Sequence, residues 1–137
     1  MTENLSAQAI AGLAAYRKSE SECYNNSDLA IVENFAEDII LTSNGVDNVV
    51  GRQAMKDLFT AVWAEYDARF AEVHDDVVVE SADYLFVTGR FTLELKPKAG
   101  GETIFDHGRF QGVLVKSADG RYLLWRESCM DVGAEKN

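Results

Sequence analysis

The sequence has few of the residues that hold a small protein together without a core. It contains one proline, two cysteines and two histidines among 137 residues. Cys23 and Cys129 belong to no CxxC pair, and a structural zinc site needs about four N or S ligands at short spacings. That pattern is missing, so neither a metal nor a cofactor is expected. No stretch of about 18 apolar residues occurs, which argues against a membrane-spanning helix. The opening MTENLSAQAI has neither a basic region nor an unbroken apolar run, so it does not read as a secretory signal. With free thiols as well, a cytoplasmic protein is expected. Positive charge is also scarce: 13 basic against 23 acidic residues give a formal net charge of −10. Phosphate backbones and anionic lipid surfaces attract clustered Lys and Arg, so nucleic acid and membranes are not expected partners.

What the sequence does have is apolar content. Hydrophobic residues make up 47%, and a chain of this size can bury roughly two thirds of its unfolded surface. One domain over residues 1–137 is expected. From Asn4 to Tyr24, Ala9, Leu13, Tyr16, Glu20 and Cys23 recur at helical spacing and share a face. Asn25-Asn26-Ser27 ends that helix, and Ser27 is placed to cap a second one through Ala36, with Ile31, Val32 and Phe35 inward. Ile39 to Thr42 reads as a short strand. Gly51-Arg52 leads into a third helix through Asp67, striped by Met55, Leu58, Phe59, Val62 and Tyr66.

After Arg69 the period becomes two. Strands are expected at 70–80, 84–96, 103–116 and 121–130, joined by short turns and therefore antiparallel. Gly89, Gly108 and Gly112 fall inside them, where glycine marks a bulge or a bend. The expected fold class is α+β: a cone-shaped, strongly curved sheet wrapped around three N-terminal helices, with an internal pocket.

Several segments resemble a known superfamily. They are Val49-Val50-Gly51-Arg52 before a helix, Thr88-Gly89-Arg90-Phe91-Thr92, Asp106-His107-Gly108-Arg109-Phe110, and Asp119-Gly120-Arg121-Tyr122 leading to Trp125-Arg126-Glu127. Over almost the whole chain the pattern is similar to the nuclear transport factor 2-like superfamily, in its SnoaL-like, ketosteroid-isomerase-like group. The resemblance implies a cystatin-like roll and dimerisation through the outer sheet face. It carries no single reaction, because members include isomerases, cyclases, dehydratases, epoxide hydrolases and proteins without known activity. Where a ketosteroid isomerase has its general base, its oxyanion acid and its helix-one tyrosine, this chain has Ser43, Gly112 and Ser19. Of the relay in limonene-epoxide-hydrolase-like proteins, Arg90 and Glu127 match two members. Thr92, Leu41 and Ser43 occupy the other places.

Strand alternation assigns sides independently of the resemblance. Val87, Gly89, Phe91, Leu93 and Leu95 share a face with Phe110, Gly112 and Leu114. In the last strand, Leu123, Trp125, Glu127 and Cys129 alternate with Leu124, Arg126, Ser128 and Met130. Glu127 is then a carboxylate in an apolar row, where burial raises its pKa toward the range a general acid or base needs; a strand-end position reaching solvent or an arginine is the alternative. Alternation puts Arg90 outside, and a bulge at Gly89 is what the resemblance would need to bring it in.

The candidate catalytic residues are Glu127, Tyr16 and Arg90. The candidate ligand-binding residues are Phe59, Phe91, Phe110, Trp125 and Cys129. They suit proton transfer on a small, largely apolar molecule, or binding of such a molecule without chemistry. A third possibility is an association module, with Arg90, His107, Arg109, Gln111 and Arg126 at a homodimer contact.

Overall fold

A computed structural model describes residues 4–136, the last four by backbone alone. Helix α1 spans Ala7–Asn25, a 3-10 helix spans Leu29–Asn34, and helix α2 spans Arg52–Glu65. The strands are β1 (Phe35–Ser43), β2 (Val49–Val50), β3 (Tyr66–Glu80), β4 (Tyr84–Pro97), β5 (Ile104–Lys116) and β6 (Tyr122–Lys136). They form one curved sheet in the order β2-β1-β6-β5-β4-β3. Neighbours are antiparallel except β1 and β6, which run parallel. The expected α+β roll is therefore present, with a 3-10 turn where a second α-helix was expected.

Local chemistry sets these boundaries. Helix α1 starts at Ala7 rather than Asn4 because Ser6 caps it, its Oγ accepting from the Ala9 amide at 3.1 Å. Glu80 of β3 holds the cap in place, accepting from the Ser6 amide at 2.8 Å. At the other end, Asn25 Oδ1 accepts from the Phe70 amide at 2.9 Å, tying α1 to β3. Asp28, not Ser27, caps the 3-10 helix by accepting from the Ala30 amide. Ser27 instead takes a left-handed backbone (φ 52°) that turns the chain. Arg52 fixes the start of α2 by donating twice to the Phe35 carbonyl, at 2.8 and 2.6 Å. Lys98 closes its other end on the Trp63 carbonyl at 2.6 Å.

The core lies between the helices and the concave face. Ile31, Ile39, Leu85 and Leu114 are the largest fully buried side chains, each worth about 1.5–3 kcal/mol of transfer free energy. Two strand glycines leave room for aromatic rings on the neighbouring strand. Gly89 pairs with Phe110 and Gly108 with Phe91. A Cβ on Gly89 would collide with the Phe110 ring and the His74 carbonyl, and one on Gly108 with the Phe91 ring. The far edge of each ring approaches a backbone that only glycine leaves bare.

Candidate functional site

Between α1, α2 and the sheet lies a cavity of about 220 Å³. Helix α2 gives it Met55, Leu58, Phe59 and Val62, and the strands give Phe35, Leu41, Phe70, Val73, Phe91, Leu93 and Phe110. Tyr24 and Ile31 complete the apolar wall. Three charged side chains reach it, Arg17 and Glu20 from α1 and Glu127 from β6, with Cys129 beside them.

Strand irregularities place these groups. In β5–β6, Val113 pairs with Arg126 but Leu114 pairs with Leu124, leaving Trp125 as an extra residue. This bulge keeps Tyr122 and Leu124 in the core on one side and Glu127 and Cys129 facing the cavity on the other. The alternation expected for Leu123 and Trp125 is shifted by it, so Trp125 is not a pocket wall. Its indole Nε1 donates to Asp38 at 3.1 Å, its ring lies 5.8 Å from that of Tyr84, and the Arg126 guanidinium covers it at 4.4 Å. In β3, extra residues fall between Phe70 and Glu72 and between Asp75 and Val77. Val73 thereby lines the cavity and Asp75 reaches Arg17 of α1.

Arg90 also lies outside. The β4–β5 register runs unbroken from Tyr84 to Leu95, so no bulge occurs at Gly89 to turn Arg90 inward. Arg90 is exposed and pairs with Asp76 at 3.4 Å. The cation at the cavity is Arg17, which the sequence reading did not single out. Its Nη2 and Nε donate to Asp75 at 2.7 Å and 3.1 Å, a bidentate pair between α1 and β3. Its Nη1 donates to Glu20 at 2.9 Å, and its guanidinium stacks 4.9 Å from the Phe110 ring. Glu20, 8% exposed, also accepts from the Tyr16 hydroxyl at 3.0 Å.

Glu127 is half-buried and lines the cavity. Burial pushes its carboxyl up to about 7, with Glu20 and Asp75 adding to the rise; Arg17 and a hydrogen bond with Cys129 oppose it. Burial raises the Cys129 thiol, and Glu127 beside it adds to that, so it stays protonated and is a poor nucleophile. Burial and Glu20 push Tyr16 well above its ordinary value, making it a hydrogen-bond donor. Burial works against the charge of Arg17, but Glu20 and Asp75 outweigh it and shift its pKa upward. Among the described residues, no group of His, Cys, Asp and Glu is arranged to hold a metal ion.

Of the sequence candidates, Glu127, Phe59, Phe91, Phe110 and Cys129 meet at this cavity. Tyr16 stands behind Glu20, while Arg90 and Trp125 are elsewhere. Arg17, Glu20 and Asp75 were missed as site residues. Glu20 was the available signal, a carboxylate on the apolar stripe of α1.

No protein-family model and no curated protein sequence matches this chain. Solved structures do. A ketosteroid isomerase-like protein from Erwinia carotovora atroseptica superimposes with a TM-score of 0.76 at 22% identity, over 93% of this chain and 99% of that one. An NTF2-like protein with a cystatin-like fold from Novosphingobium aromaticivorans gives 0.70 at 13% identity, over 89% and 80%. A type 2 hexachlorocyclohexane dehydrochlorinase gives 0.76 at 13% identity, over 94% and 88%. The chain has the nuclear transport factor 2-like fold, a cystatin-like α+β roll. A ketosteroid isomerase-like protein is among the structures that share it, and the likeness is one of fold.

Proposed function

We propose that the cavity binds a small, largely apolar molecule and that Glu127 transfers a proton to or from it. What supports this reading is a carboxyl that burial pushes up to about 7, on the wall of a cavity lined mostly by apolar side chains. Such a group is populated in both forms at neutral pH, so it can take a proton and return it. Arg17 and Tyr16 sit behind it as donors already committed to Glu20 and Asp75, which stiffens the charged end. Glu127 is thus the proton carrier, Phe59, Phe91 and Phe110 pack the ligand, and the charges of Arg17 and Glu20 tune the carboxyl from nearby.

A screen of small cyclic ketones in deuterium oxide tests this. The wild type is expected to speed hydrogen exchange next to the carbonyl, and Glu127→Gln is expected to lose that rate while keeping ligand binding. Exchange that persists in Glu127→Gln would remove the role.

A second reading, binding without chemistry, draws on the departures at Ser43 and Gly112, which carry no acid. It expects ligands to be held with no exchange in the same screen. Either reading is compatible with a homodimer through the outer sheet face. Val77, Val79, Phe86 and Met130 are exposed there, beside Arg90 and Arg109 and the acids Glu72 and Asp76. Sedimentation at micromolar concentration is expected to give the dimer mass, and a monomer would discard that contact.

A further inference from the structure

The charges around the cavity limit what it can hold. One cation, Arg17, stands among three carboxylates: Asp75, Glu20 and Glu127. Its Nε and Nη2 are bound to Asp75 and its Nη1 to Glu20, so its charge is answered before any ligand arrives. Glu127 receives only the weak S–H donor of Cys129 among the contacts described for it, which leaves its oxygens able to accept from a ligand. An anionic ligand would meet surplus negative charge at this end, in a protein whose formal net charge is −10. An ammonium group would meet an unneutralised carboxylate, with aromatic walls behind it whose faces also favour cations. Size narrows the ligand further. A cavity of about 150 Å³ holds benzene, so one of about 220 Å³ suits one ring with a short side chain.

From this arrangement we infer that the cavity selects a one-ring organic amine, its ammonium group against Glu127 and its ring among Phe59, Phe70 and Phe91. The inference rests on the cavity being the binding site, and the experiment separates the two claims.

Phenethylamine, phenethyl alcohol and phenylpropionate are three probes of similar size and different charge, and calorimetric titration compares them. At about pH 8 the amine is expected to bind about tenfold tighter than the alcohol, and the carboxylate weakest. The groups facing Glu127 are Glu20, Arg17 and Tyr16 from α1, Asp75 from β3 and Cys129 from its own strand. Glu127 titrates among them near 7. Amine affinity should therefore rise about tenfold from about pH 6 to about pH 8 as that carboxyl ionises, with proton release that differs between buffers of unequal ionisation enthalpy. The alcohol should show neither effect.

Glu127→Gln should weaken the amine about tenfold and the alcohol much less, bringing the two affinities together. If that variant also loses the alcohol, the wild type decides instead: an amine affinity that stays flat between about pH 6 and about pH 8 would overturn the inference. Equal affinity for amine and alcohol, or a tighter carboxylate, would overturn the amine inference and leave the cavity reading standing. Binding of none of the three would overturn both.

Discussion

The two ends of the cavity are built on opposite principles. At the α2 end, Met55, Leu58, Phe59 and Val62 face Phe35 and Tyr24, held by shape alone; the Phe59 and Trp63 rings stack at 5.4 Å. At the α1 end, four charged groups are held by directional bonds, three of them centred on Arg17. Apolar packing tolerates substitution by groups of similar volume. A buried charge network does not, because removing one member strands the others. The charged end should therefore be rigid and costly to alter, and the apolar end adaptable to different ligand shapes.

The largest expected effect comes from Arg17→Met, which leaves Asp75 and Glu20 without their cation. It should cost about 4 kcal/mol in denaturant unfolding. Combining it with Asp75→Asn should recover more than about 1 kcal/mol, and strict additivity would show that the pair is not coupled. Phe59→Ala breaks the other end and should cost about 3 kcal/mol by leaving a void.

Glu127→Gln sharpens the contrast because its effect depends on pH. The folded-state pKa of Glu127 is raised from 4.5 to about 7, so the folded protein holds this proton where the unfolded chain has lost it. Its contribution is most favourable below about pH 4.5 and is lost as pH climbs through about 7. At about pH 8 the Gln variant should be more stable by about 2 kcal/mol, after allowance for partial exposure. The advantage should vanish toward about pH 4, as urea titrations at several pH values would show. Arg90→Ala, on the outer face, should change stability by less than about 0.5 kcal/mol.

How much of this was legible beforehand follows from where the ladders are continuous. In β4 and β5, alternation separated Val87, Gly89 and Phe110 from Thr88, Arg90 and Gln111 as the structure does, since that register has no break. In β3 and β6 the pattern fails at extra residues, and a period of two says nothing about parity beyond a bulge. Trp125 was misplaced for that reason, although Glu127 and Cys129 faced the cavity as expected. The charge network was hidden for another reason. Arg17 and Asp75 are 58 residues apart, and each alone reads as a polar residue at the edge of an apolar pattern. Only Glu20, set squarely on the stripe of α1, signalled a partner in space.

The irregularity at Trp125 also gives β6 a spare unit of length. With that residue removed, the strand would run regular while Leu124 and Glu127 kept their common side; one more residue inserted nearby would swing the acid away from the hollow. A protein lacking this extra residue, aligned to the strand without a gap, would have hollow-facing residues matched to outward ones on one flank of the indole. Comparison of catalytic groups across such proteins therefore has to follow the strand pairing rather than the residue count.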